Sequence, residues 1–244
     1  MALFLFVPFV VVVLISFNSS AAVQLPLAGV SLRWYRQVAG DPLVQAAFER
    51  TALAAVVTAI VSGILGLTAA LGAVRLPQRW RTVVFTVPLI PLAFPALLYA
   101  IGLATFYHQI GVGFSIWATI TGHVVLAFPF AFLVLGAALE RFHFTLLEAA
   151  HDLGASRWTS FRTISLPLLL PALLGAMLLA MAISVDEFVI AFFTAGTQQT
   201  LPLLLYGRIN LGVFPSLNAI GTVLLLISMT LAFLAARTTT LEAR

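Results

Sequence analysis

What most constrains this chain is where it keeps its charge. Along 244 residues, apolar runs about as long as a membrane-crossing helix alternate with short segments that hold nearly every arginine and acid. A bilayer core about 30 Å thick takes roughly 20 helical residues to cross. Inside it every backbone N–H and C=O must find a partner within the protein. Hydrophobic residues make up 62% of the sequence and charged ones 8%, a balance unsuited to a fold around one aqueous core. Membrane barrels show segments of about 10 residues with alternating polarity, whereas these runs are continuous. The expected fold is an all-α polytopic membrane bundle of six transmembrane helices near 2–17, 52–74, 83–106, 115–139, 168–193 and 217–236, with 1–244 as one membrane domain. The first run is short and also fits a signal peptide ending near Ala21 and Ala22, but it lacks the basic segment such peptides carry.

The net charge of +4 comes from twelve arginines without a lysine, spread among the loops, so no nucleic-acid partner is expected. Cysteine is absent, which removes disulfides, thiolate chemistry and cysteine metal sites. Arginine near span ends stays on the cytoplasmic side. With the N-terminus inside, Arg75, Arg79, Arg81, Arg141, Arg157, Arg162, Arg237 and Arg244 are inner, while Arg33, Arg36, Arg50 and Arg208 are outer. Both termini are therefore expected in the cytoplasm. The outer segment before the second span holds Trp34 and Tyr35, read as headgroup anchors on an interfacial helix.

Ser62, Gly66 and Ala70 recur every fourth residue and predict a close helix contact. Pro88, Pro91 and Pro95 in the third span and Pro129 in the fourth remove backbone donors and are expected to distort their helices, as simple kinks or along a path. The inner segment 140–166 is the longest inner loop. Thr145 with Glu148 three residues on has capping-box spacing, Gly154 permits a turn, and Pro167 is expected to end a second short helix. Leu146, Ala149, Ala150 and Leu153 form one apolar face beside Glu148 and Asp152, which suits a soluble partner.

These residues resemble the membrane subunits of binding-protein-dependent ABC importers. The family's cytoplasmic signature is matched by Glu148, Ala149, Ala150, Gly154, Ile164, Leu166 and Pro167, at the expected spacing and in the expected loop. The resemblance implies that this loop couples to an ATP-hydrolysing subunit, with Glu148 in a charged contact and Asp152 beside it. Ser16–Ser19, Leu32–Tyr35, Ser184–Phe188, Leu201 with Pro202, and Pro215–Ala219 look similar to the spermidine/putrescine type. Permeases for iron, thiamine, opines or aminophosphonates share several of these pieces. Many polyamine-type members carry an acid after the third-span proline, whereas Pro95 is followed here by Ala96.

Asp186 and Glu187 are the only acids in an expected span. With Pro95 they are candidates for the substrate path. Alternatively the two acids brace the outer end of the fifth helix, against Arg208 or a partner subunit. His143 and His151 lie eight residues apart without a third ligand, and His108 and His123 look isolated, so no metal site is expected. Neither a phosphate-binding glycine loop nor a catalytic constellation is present. The expected function is a non-enzymatic permease subunit of an ATP-driven importer in the bacterial inner membrane. Its expected solute is a polyamine or a related small cation. The expected partners are two ATP-binding subunits carrying ATP–Mg, a second permease (self or related), a periplasmic binding protein and membrane lipid. No cofactor is expected on this chain itself. The alternatives are an ABC permease for another small solute and an ion-coupled secondary transporter, which would need internal repeats.

Overall fold

The computed structural model describes residues 2–22, 26–212 and 214–240; Arg244, counted above among the inner arginines, lies outside them. In chain order the helices are α1 (Ala2–Ser16), α2 (Arg33–Ala39), α3 (Pro42–Ala73), α4 (Gln78–Thr86), α5 (Ile90–Ala93), α6 (Ala96–Gln109), α7 (Ile116–Glu140), α8 (Thr145–Asp152), α9 (Arg157–Ser160), α10 (Leu166–Asp186), α11 (Val189–Thr194), α12 (Leu201–Ile209) and α13 (Pro215–Thr240). A 3-10 turn, Val87–Leu89, joins α4 to α5, and a π turn, Phe161–Ser165, joins α9 to α10.

The helical membrane fold is as expected, but the crossings are not six equal ones. Among the described residues, four continuous helices are long and apolar enough to cross: α3, α7, the run Arg157–Asp186, and α13. The third expected span is broken, with Gln78–Ala93 and Ala96–Gln109 meeting at 96°. Proline disfavours helical geometry at the preceding residue, and Phe94, just before Pro95, is extended at φ −84°, ψ 144°. Pro88 and Pro91 sit in the first turns of their own short helices, where a missing N–H costs little. The first helix has 15 residues, about 22 Å at helical rise, which is short of a full bilayer core. It packs against α13, where a Cβ on Gly221 would stand 3.7 Å from Val12. Pro129 does not end its helix, because α7 runs on through it and buries it.

Small residues set the central packing. Ser62 and Ala70 are fully buried on α3. A Cβ on Gly66 between them would lie 3.1 Å from the Ala131 carbonyl carbon and the Phe132 nitrogen of α7, so side chain there meets backbone. The face read from the sequence is thus the α3–α7 contact. Around it Phe132, Leu135 and Leu139 pack with Leu169, Ala172 and Ala176 of α10. Gly136 makes room for the Phe85 ring, which stacks on Phe132 at 4.6 Å and ties α4 to the bundle. Outside this core, Phe9, Ile64, Leu98 and Phe233 are exposed, a surface that suits lipid or another membrane chain and not water.

One end of the bundle is closed by a polar knot. Asn18 is buried, and its Oδ1 accepts from the Ser20 and Ala28 N–H groups while its Nδ2 donates to Ala22 O at 3.0 Å. The indole N–H of Trp34 donates to Asn18 O at 2.7 Å, and Tyr35 shares a 2.7 Å bond with Ser16. Trp34 is therefore a buried strut of this knot and not the headgroup anchor its position suggested. Nearby, Arg208 of α12 donates to Asp41, the N-cap of α3, at 2.6 Å. At the opposite end Arg81 of α4 pairs with Glu140 at 2.6 Å.

Gly66→Val is expected to destabilise the chain by about 1–3 kcal/mol through overpacking. Gly72→Ala, which meets nothing within 4 Å, should leave thermal unfolding in detergent unchanged or slightly improved. Burial by itself would raise the Asp41 carboxyl, but the Arg208 bond, with the Leu43 N–H, holds it below its ordinary value of 3.8. A depressed carboxylate stabilises above its unfolded pKa and loses that contribution as pH falls through the native value. The midpoint difference between wild type and Asp41→Asn should therefore be constant near neutrality and shrink only in the acid range below about pH 4.

Candidate functional site

The signature loop folds as two short helices around Gly154, as the spacing predicts. Gly154 has φ +84°, a conformation that disfavours any side chain. Its N–H bonds to His151 O and the Ala155 N–H to Ala150 O, both at 2.9 Å, the pair of bonds that closes a helix end in a left-handed turn. The helix start differs from expectation. Thr145 is the first helical residue and caps nothing, since Phe144 is the N-cap and makes no side-chain cap bond. Phe144 instead packs edge-on against Phe142 at 5.2 Å. Ser156, which sequence reasoning did not assign, caps α9 by accepting from Thr159 N–H at 3.1 Å; the signal for it was a serine just beyond the glycine.

The loop leaves its signature facing outward. Leu153 is 89% and Trp158 69% exposed, and Leu146, Glu148, Ala149 and Asp152 are exposed with them. Neither Glu148 nor Asp152 forms an ion pair among the described residues. Ala150, Ile164 and Leu166 are half-buried against the chain's own helices, and Pro167 is exposed.

Pro167 does not end a helix. The π turn places the Leu166 N–H on Phe161 O, five residues back, and Pro167 follows as an early residue of α10. The widened turn absorbs the missing donor and the ring. Arg157–Asp186 is consequently one helix of 30 residues running from the loop into the membrane bundle.

Its far end is where the two acids lie, and they point to different surroundings. Asp186 is exposed on the chain and accepts from Ser228 Oγ of α13 at 2.7 Å. Glu187 turns inward and accepts from the Val189 and Ile190 N–H groups, at 3.2 and 2.7 Å, capping α11 after the break. Its carboxylate lies 3.6 Å from Nε2 of His123, whose Nδ1 bonds to Ser184 at 2.8 Å. Neither acid meets Arg208, which is engaged by Asp41. His123 looked isolated in the sequence but is buried between α7 and the end of α10; a polar ring inside an apolar run was the signal for it. Pro95 opens α6, and α6 packs on α7 and α11, with Leu103 and Ile190 meeting over Gly122. The broken third span thus borders the broken end of the fifth.

Glu187→Ala removes both N–H partners of α11 and should cost about 1 kcal/mol, the size of a lost helix cap. Glu187→Gln, which keeps one acceptor, should cost less. Equal thermal midpoints for Glu187→Ala and wild type in detergent would show that the capping bonds carry no stability.

The family model for the binding-protein-dependent transport system inner membrane component matches residues 62–240. The spermidine/putrescine transport system permease protein PotC of Escherichia coli K12 is 31% identical over 228 residues, covering 93% of this chain and 86% of that one. The putrescine transport system permease protein PotI of the same strain is 33% identical over 238 residues, covering 91% and 82%. The sulfate transport system permease protein CysT of that strain is 31% identical over 229 residues, covering 87% and 83%. Among solved structures, a bacterial ABC transporter that imports alginate superposes with a TM-score of 0.69 at 14% identity, covering 97% and 90%. The inward-facing MetNI methionine ABC transporter gives 0.62 at 20% identity, covering 84% and 100%. This helical bundle with an outward-facing charged loop is a multi-pass inner-membrane transport subunit, and the chain belongs to the family of binding-protein-dependent transport system inner membrane components.

Proposed function

We propose that this chain is a permease subunit of an ATP-driven importer for polyamines or a closely related small cation, delivered by a periplasmic binding protein. One observation carries the transport mechanism. The signature from Glu148 to Gly154, exposed except at Ala150 and without an ion pair among the described residues, folds back onto a helix that runs unbroken from Arg157 to Asp186. A soluble ATP-binding subunit gripping the signature moves that helix as a rod of about 45 Å. The motion arrives where Asp186 and Glu187 lie beside the broken third span. Glu148, Ala149, Ala150, Asp152 and Gly154 form the gripped surface, and Ile164, Leu166 and Pro167 lie where it joins the rod.

Two ATP-binding subunits carry ATP–Mg, and a second permease, self or related, supplies the other half of the path. The charged loop and both termini face the cytoplasm. The polyamine assignment draws on the two permeases named for spermidine and putrescine, and on Asp186, an exposed carboxylate at the end of a spanning helix. A carboxylate there favours a passing cation. An oxyanion is the second reading, since the sulfate permease is about equally identical.

The test is reconstitution of the chain with its genomic neighbours in liposomes. Binding protein loaded with spermidine should stimulate ATP hydrolysis and uptake, and Asp186→Asn should raise the solute concentration for half-maximal uptake. Stimulation by sulfate and not by polyamine would replace the solute assignment. Glu148→Arg should weaken co-purification of the ATP-binding subunit about a hundredfold, the scale of a lost interfacial charge contact. Gly154→Val should leave the chain in the membrane but cut uptake at least tenfold. Robust uptake by the chain without any ATP-binding subunit would overturn the proposal.

A further inference from the structure

Behind the signature loop lies a cavity of about 490 Å³, between α8, α9 and the π turn on one side and the ends of α3 and α7 on the other. Its polar lining is one-sided. Arg75 closes it from the end of α3, Arg157 from the first residue of α9 and His151 from the last turn of α8, and among the described residues no acidic side chain lines it. Neither guanidinium makes a hydrogen bond or ion pair among the described residues, in contrast to those of Arg81 and Arg208, which are both held by carboxylates. Ser160, also on the wall, is 2% exposed, and its buried hydroxyl has no hydrogen-bond partner. Unpartnered buried hydroxyls are uncommon and call for an occupant. The remaining wall is apolar, with Phe142 and Phe161 prominent.

Two unpaired guanidinium groups, an imidazole and an orphan hydroxyl around a space many times the volume of a water molecule match one chemistry. We infer that the cavity binds a phosphate group. Arginine takes phosphate oxygens through paired N–H donors, and a turn of the Ser160 side chain, whose hydroxyl is enclosed in the structure, brings one more donor to the bound group. The occupant is either the headgroup phosphate of an anionic phospholipid, whose apolar portion suits the aromatic wall, or free phosphate. In both cases the bound group ties α8 and α9 to the end of α3, behind the surface proposed to meet the ATP-binding subunit. The inference is independent of the transported solute.

The test uses the full chain as purified from membranes, with whatever subunits accompany it, stripped of lipid in a neutral detergent. Native mass spectrometry then follows titration with phosphatidylglycerol or phosphatidylcholine, and equilibrium dialysis follows inorganic phosphate. Phosphatidylglycerol should bind saturably and more tightly than phosphatidylcholine. The affinity should fall at least about tenfold in the Arg75→Gln/Arg157→Gln variant and about fivefold in Ser160→Ala, the usual scales of lost charged and neutral hydrogen bonds. Arg162→Gln, an exposed arginine outside the cavity, should bind as wild type. Retention of inorganic phosphate with the same arginine dependence, and of no lipid, supports the site and identifies its occupant as soluble. If the double variant does not assemble, the headgroup comparison on wild type and the Ser160→Ala titration still decide. Equal affinity for the two lipids without phosphate binding, or an equal loss in Arg162→Gln, overturns the inference.

Discussion

The continuity of one helix governs how this molecule can work. Had Pro167 ended a helix, the charged loop would hang on a hinge, and a push on it would dissipate in loop motion. The five-residue bond from Leu166 to Phe161 instead carries the chain past the proline without a break. The same 30-residue helix therefore has the signature loop at one end and Asp186 at the other. Gly154 completes the device, because its left-handed backbone folds α8 back beside the start of that helix, giving a bracket with two exposed faces instead of a single peg.

The rest of the bundle holds that helix along its length, with Ser184 bonded to His123 and Asp186 to Ser228 at its far end. Small residues bring α3 and α7 into backbone contact, and α10 packs on this pair through Leu169, Ala172 and Ala176. Beyond Asp186 the regular helix stops, and Glu187 turns its carboxylate to the N–H groups of α11. The bilayer core offers no bulk water for those groups, so a break in a spanning helix persists where the protein itself or a water-lined cavity supplies the missing partners, as the Glu187 carboxylate does here. The break at Pro95 lies in the neighbouring span. The interrupted helices thus meet one another beside α7, while α3 and α7 themselves run unbroken.

Much of this was legible in the sequence because it is local or periodic. The apolar runs announced a helical membrane bundle, the four-residue recurrence of Ser62, Gly66 and Ala70 announced a close helix contact on that face of α3, and Gly154 announced the turn. What was not legible depends on distance or on rare geometry. A π turn has no compositional mark, so Pro167 read as a stop. Arg208 finds Asp41 across 167 residues, and no local pattern joins them. Trp34 reads as an interfacial anchor until Asn18 is folded against it. His123 was passed over because its partners, Ser184 and Glu187, lie on another span. Thr145 and Glu148 have capping-box spacing, yet packing between Phe142 and Phe144 starts the helix without it.

The most direct test exploits the absence of native cysteine. Leu153→Cys, at the tip of the bracket, should cross-link to a cysteine-bearing ATP-binding subunit in membranes, with a yield that changes when ATP is bound. In intact cells the same thiol should resist a membrane-impermeant reagent added outside. Labelling of position 153 from outside the cell, or no cross-link to any ATP-binding subunit, would contradict the account.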